Sequence, residues 1–115
     1  MARSHKPIIW SLFAAGGTVA AFVTPVMIVV TGLAITFGLL PAKALAYERV
    51  LAVVQNPIGK GLVFLIVFLT VWHAAHRLRI TAHDFGVRAD FAVMTICYGL
   101  ALLATALAVF ALFRI

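Results

Sequence analysis

The sequence predicts an all-α integral membrane protein: one domain, residues 1–115, with three transmembrane helices and a short interfacial helix after the first. Three observations carry this. Hydrophobic residues make up 65% of the chain and charged ones 10%, where soluble domains run at about 45–50% and about 25%. A soluble fold of this size leaves much of its surface exposed and could not bury so much apolar area, so lipid must be the solvent for most of the chain. Three segments, Ile8–Ala42, Gly61–His76 and Phe91–Phe113, are free of Asp, Glu, Lys and Arg, and about 20 apolar residues cross a bilayer core of about 30 Å. Finally, Lys and Arg flank these runs instead of gathering on a soluble face, so the net charge of +6 excludes nucleic acid as a partner.

The first span, about residues 10–39, starts at the membrane interface with Trp10. Arg3 and Lys6 ahead of it resemble the start of a signal peptide, but the apolar run is too long and lacks a convincing small-residue cleavage site, so it is read as retained. Pro25 removes a backbone hydrogen bond and predicts a kink. Gly16, Gly17 and Gly32 mark places where another helix can approach. Pro41 breaks the chain. From Ala42 to Gln55, Leu45, Val50, Leu51, Val53 and Val54 alternate with Lys43, Glu48 and Arg49, the pattern of a short amphipathic helix lying at the interface. Pro57 and Gly59 punctuate the entry to the second span, about residues 58–82, with Lys60 snorkelling at one end and Arg77 and Arg79 at the other. Asp84–Asp90, with Gly86, reads as a loop. The third span, about residues 91–113, is closed by Arg114.

Lys and Arg counts set orientation. With the N-terminus inside, the cytoplasmic side holds Arg3, Lys6, Arg77, Arg79 and Arg88, and the other side Lys43, Arg49, Lys60 and Arg114. The small excess favours a cytoplasmic N-terminus. Whichever way the chain sits, three spans put Trp10 and the His76–Arg77 pair at one membrane face and Gln55 and Asn56 at the other.

The chemistry concentrates in Trp72-His-Ala-Ala-His-Arg-Leu-Arg-Ile-Thr-Ala-His-Asp84. Ionisable groups at the mouth of an apolar helix are costly and raise a functional hypothesis. Helical spacing aligns His73, His76, Arg77 and Ile80 in one stripe. Two readings stand side by side. Trp10 is an interfacial anchor and the basic residues are snorkelling helix ends, or together they form a site for a quinone-like head. A quinone joins an apolar body to two carbonyl acceptors, so it needs donors where an apolar wall meets a polar mouth, and histidine titrates in the range that suits coupled proton and electron release. Haem is disfavoured, because a bis-His iron usually needs ligands from facing helices, and within the spans His occurs only on the second. The only acids, Glu48, Asp84 and Asp90, lie outside the spans, which argues against an ion path and hence against a small stand-alone transporter subunit. No phosphate loop or metal cluster is present, so any chemistry must be shared with partners. Cys97 is a lone thiol inside an apolar run, a packing residue with no disulfide partner.

Residues along most of the length resemble the family of small hydrophobic D subunits of bacterial fumarate reductase: Pro7-Ile-Ile-Trp-Ser-Leu-Phe-Ala-Ala-Gly-Gly17, Thr24-Pro-Val-Met-Ile28, Ala44-Leu-Ala-Tyr-Glu-Arg-Val-Leu-Ala52, Gln55, Ile58-Gly59 and Trp72…His76-Arg-Leu…His83-Asp84. Tyr47-Glu-Arg-Val-Leu51 and His76-Arg77 are the most specific of these. The last span matches mainly in hydrophobicity, with Tyr98-Gly99-Leu100 as a local match.

The resemblance implies a four-subunit enzyme of the bacterial inner membrane, active in anaerobic respiration and electron transport. In it a flavoprotein with FAD reduces fumarate, an iron–sulfur subunit carries electrons, and two three-span anchors, C and D, tether that pair and share a menaquinol (menaquinone) site. Anchors of this type lack haem, against the alternative of a haem-carrying anchor of succinate dehydrogenase. Trp10, His76 and Arg77 match positions at or near the quinol site beside the iron–sulfur subunit. Gln55 and Asn56 match positions near a distal quinone region. The chain departs from the family pattern at His73, where a small or sulfur-bearing residue can stand. It departs too at Arg79 and Thr81, which replace His, at Asn56, which replaces a small hydroxyl residue, and at Val53, which replaces an aromatic one. The expectation is a non-catalytic anchor that forms one wall of the site.

Overall fold

The computed structural model describes residues 4–115, and Arg3 of the charge comparison falls outside them. Helix α1 covers Lys6–Ile28, with Pro7 in its first turn, where a missing N–H costs nothing. It continues as a wider π-helical stretch over Val29–Ala34. The α-helix is thus continuous through Pro25, where the sequence predicts a kink, and the change to π-helix comes one turn later. The carbonyl left without an N–H by Pro25 is that of Ala21, one turn upstream, whereas the widened stretch lies downstream of the proline, where the Thr31 hydroxyl donates to the Met27 carbonyl at 2.6 Å. Gly38, at φ +70°, ends the span, and the N–H groups of Leu39 and Leu40 turn back to the Ala34 carbonyl. The helix therefore stops at a glycine cap, slightly before the residue-39 boundary and before Pro41.

A 3₁₀ turn, Ala42–Leu45, leads into α2, Tyr47–Gln55, the predicted interfacial helix. Helix α3, Pro57–Asp84, begins at once. Its 28 residues correspond to about 42 Å, longer than the hydrocarbon core. The loop after Asp84 turns at Gly86, whose φ is +82°, and α4 covers Asp90–Arg114. Three helices are thus long and apolar enough to cross a membrane.

Helix α3 is central, packing along α1 on one side and α4 on the other. Its contacts use small residues: Gly16, Ala34, Gly59, Ala75 and Ala101 are buried, with Leu69 the one large side chain among them. Small faces let backbones approach and gain dispersion where no hydrophobic force between helices exists. Phe22, Leu39, Phe91 and Phe113 point outward instead, the distribution a lipid-solvated bundle requires.

Candidate functional site

Because α1 and α4 both pack on α3 and share at most a fringe of contact with each other, a cleft stays open between them at the end carrying Trp10 and His76. Its volume is ≈ 610 Å³, within the roughly 300–1,000 Å³ of small-molecule sites. Ile9, Leu12, Phe13 and Leu69 make apolar wall; Lys6, Trp10, His73, His76, Arg79 and Tyr98 supply the polar groups.

Gly16 and Gly17 build the floor. A Cβ on Gly16 would collide with the Leu69 carbonyl oxygen, and one on Gly17 would lie 2.7 Å from the His73 ring. The glycine pair therefore lets α3 close on α1 and leaves a slot for the imidazole. In that slot His73 stacks on Phe13, ring centroids 4.4 Å apart, and its Nδ1 lies 2.9 Å from the Phe13 carbonyl oxygen. His76 meets the edge of the same ring at 4.8 Å, and its Nδ1 lies 2.8 Å from the Tyr98 hydroxyl of α4. The Trp72 indole donates to Thr105 at 3.1 Å, a further link from α3 to α4.

A charged clamp closes the end of the bundle. Arg79 donates twice to Asp90, at 3.0 and 2.9 Å, and its guanidinium stands over the Tyr98 ring, 5.9 Å from the centroid. His83 Nε2 lies 2.8 Å from the same carboxylate. Asp90 sits in the first turn of α4, where a negative charge is favoured.

The structure brings Trp10 and His76 to the same cleft, as the odd number of spans requires, although Trp10 is 69% exposed and forms the rim. Arg77 is exposed on the neighbouring face of α3 and does not line the cleft. Of the predicted stripe, His73 and His76 face inward, His73 toward α1, while Arg77 and Ile80 do not; toward α4 the inward stripe is Trp72, His76, Arg79 and His83, because packing on α4 turns this side of α3 to Tyr98 and Asp90. Ile80 is exposed. Sequence reasoning missed Arg79, Asp90 and Tyr98 as site-forming residues. The signal was the i, i+4, i+7, i+11 spacing of Trp72, His76, Arg79 and His83, which is as helical as the stripe chosen.

Gln55 and Asn56 lie about 30 Å away along α3, at the opposite end. Both are exposed. The Asn56 side-chain oxygen accepts from the Ile58 N–H at 2.9 Å and caps α3. A cleft at that end, ≈ 410 Å³, lies between α3 and α4 and is lined by Lys60, Gly61, Phe64, Val109 and Phe113, among others, but not by Gln55 or Asn56.

Comparison with known proteins matches the family of fumarate reductase D subunits over residues 1–113. The fumarate reductase D subunit of Vibrio cholerae serotype O1 (strain M66-2) is 40% identical over 113 residues, covering 98% of this chain and 87% of the relative. Its counterpart from Photobacterium profundum is 41% identical, covering 98% and 94%. That of Mycobacterium tuberculosis (strain ATCC 25177 / H37Ra) is 43% identical over 109 residues, covering 92% and 85%. With three membrane-length helices and a match along nearly its whole length, the chain belongs to the family of fumarate reductase D subunits.

Proposed function

We propose that this membrane anchor tethers the flavoprotein and iron–sulfur subunits of fumarate reductase to the bacterial inner membrane, beside a second three-span anchor. It supplies one wall of the menaquinol site that feeds fumarate reduction in anaerobic respiration. The observation that carries the proposal is the cleft between α1, α3 and α4. It joins apolar walls to imidazole, indole and guanidinium groups at the end of the bundle, the combination a quinone head requires. Menaquinol, when bound, supplies two electrons and two protons; FAD and the iron–sulfur centres belong to the partner chains. Trp10 closes the rim and His76 faces the head. Arg77 stands on the adjoining outward face, where a partner subunit would complete the site. Gln55 and Asn56 border the distal region, with Asn56 also ending α2 and capping α3.

The cleft's two imidazoles lie three residues apart on one helix and cannot flank a single iron, which supports an anchor without haem. In the sequence, Arg3, Lys6, Arg77, Arg79 and Arg88 on the N-terminal side against Lys43, Arg49, Lys60 and Arg114 on the other, a small excess, support a cytoplasmic N-terminus.

Menaquinol-driven and dye-driven fumarate reduction, compared in the purified complex, test the reading. Trp10→Ala, His76→Gln and Arg77→Leu should each lower the menaquinol rate roughly tenfold, the kinetic equivalent of losing about 1–2 kcal/mol of head-group interaction, with the dye rate held. Equal loss of both rates in an intact complex would remove the quinol role.

A further inference from the structure

The cleft at the Asn56 end differs in chemistry from the one beside Trp10. Pro57, Lys60, Gly61 and Phe64 recur at i, i+3, i+4 and i+7 along one face of α3, and Val109 and Phe113 line the facing side of α4. Between them runs a groove of ≈ 410 Å³ whose walls are apolar except at Lys60. From Pro57 to Phe64 it follows α3 for about 10 Å, within a leaflet about 15 Å deep. Helix α2 leaves it open, because α2 meets α3 at Gly59, two residues from both Pro57 and Gly61 and so on the other side of the helix. A Cβ on Gly61 would meet nothing within 4 Å, so packing within this chain does not require a glycine there. Phe113, at the rim, is 86% exposed.

The charges select the occupant. Lys43, Arg49, Lys60 and Arg114 share this end with a single acidic side chain, Glu48, and none of the four pairs with a carboxylate among the described residues. Lys43, Arg49 and Arg114 are exposed, whereas Lys60 is half-buried in the first turn of α3. Arg114 is held over Phe110, which does not line the groove, so Lys60 is the cation that meets a ligand there. A half-buried ammonium beside hydrocarbon calls for an anionic partner. A neutral isoprenoid chain would suit the walls and leave Lys60 unpaired. A phosphate diester joined to acyl chains satisfies both. We propose that the groove binds an anionic phospholipid of the leaflet at the Asn56 end. Lys60 donates to its phosphate, and one acyl chain runs along Phe64 in the space that Gly61 leaves. The lipid closes the seam between α3 and α4 where their own side-chain bonds have stopped, since Trp72 to Thr105 is the last of these toward this end among the described residues. The proposal requires a membrane anchor only and is independent of the quinol reading.

Native mass spectrometry of the delipidated complex tests this, with palmitoyl-oleoyl phosphatidylglycerol, the matching phosphatidylcholine and menaquinone as probes. One phosphatidylglycerol should bind more tightly than phosphatidylcholine, and Lys60→Gln should weaken it about tenfold, the scale of a lost hydrogen bond to a charged group near the membrane surface. Phosphatidylcholine binding should not change in Lys60→Gln. Arg114→Gln should have the smaller effect on phosphatidylglycerol. The groove can take up one methyl group at residue 61, but Gly61→Leu would fill it and should lower the binding of both lipids. Phosphatidylglycerol should raise the melting temperature of the wild-type complex more than that of Lys60→Gln, with menaquinol-driven and dye-driven activities alike in the two. Equal phosphatidylglycerol binding by wild type and Lys60→Gln overturns the headgroup contact, and undiminished lipid binding in Gly61→Leu overturns the groove. Displacement of the lipid by equimolar menaquinone overturns the proposal in favour of a neutral isoprenoid occupant.

Discussion

The two ends of the bundle solve the same problem in different ways. At the Trp10 end, seven polar or aromatic side chains from α1, α3 and α4 are tied together: Phe13 to both imidazoles, His76 to Tyr98, and Arg79 and His83 to Asp90. At the Asn56 end Gly59 lies against the Val53 backbone of α2, and Lys60 is the one charged group lining the cleft there. Polar groups near the hydrocarbon must find partners within the protein. The first end therefore holds its chemistry in a polar network spanning all three membrane helices, built over the close approach of α1 and α3 at Gly16, while at the second end Gly59 lets α2 fold back on α3 with one charged group in the cleft.

Substitutions that separate backbones should have the largest effects. A Cβ on Gly59 would collide with the Val53 carbonyl oxygen, and one on Gly16 with that of Leu69. Gly59→Ala and Gly16→Ala should each destabilise by about 1–3 kcal/mol, the usual cost of overpacking, seen as a lower melting temperature of the detergent-solubilised complex. Gly59→Ala should loosen α2 from α3 and leave the cleft end intact, whereas Gly16→Ala should also impair quinol oxidation. Equal behaviour of the two would erase the contrast between the ends.

Gly17→Ala is the next most severe. Its Cβ would sit 2.7 Å from His73 Cε1, so the ring must leave its slot. Quinol oxidation should fall by roughly tenfold, as for a lost hydrogen bond of ~1–2 kcal/mol, with little change in melting temperature because a side chain yields more easily than a backbone. A large thermal effect with normal turnover would place Gly17 among the packing glycines instead.

Trp72→Phe removes the bond to Thr105 and should cost about 0.6 kcal/mol, the typical worth of a hydrogen bond between membrane helices. Gly61→Ala should be neutral within ~0.5 kcal/mol, since the added Cβ meets nothing within 4 Å. A clear loss there would mean that a partner subunit or lipid packs against this glycine.

Much of this was legible in the chain. Hydrophobic runs, flanking charges and Pro and Gly punctuation located three membrane helices and the interfacial α2, because a bilayer imposes length and polarity limits that read directly from sequence. Counting spans placed Trp10 and His76 at one end and Gln55 and Asn56 at the other. Rotation about a helix axis is harder. Arg77 and Arg79 both lie within a helical turn of His76, and periodicity alone favours neither. Packing against α4, through Trp72 to Thr105 and His76 to Tyr98, turns Arg79 toward Asp90 and leaves Arg77 outside. Pro25 shows the same limit along the axis, since a lost N–H is certain from sequence, but the change of helix type falls over Val29–Ala34, where no proline marks it.

The amino-acid sequence by itself determined the solvent, the number of spans, their ends and which residues share a membrane face, because these follow from transfer free energies summed along the chain. Only the tertiary structure decided which side of α3 faces inward, that Gly16 and Gly17 open a slot for His73, and that Tyr98 and Asp90 join the cleft. Those outcomes rest on contacts between helices far apart in sequence, whose mutual rotation is set by which small faces fit and which polar groups find partners.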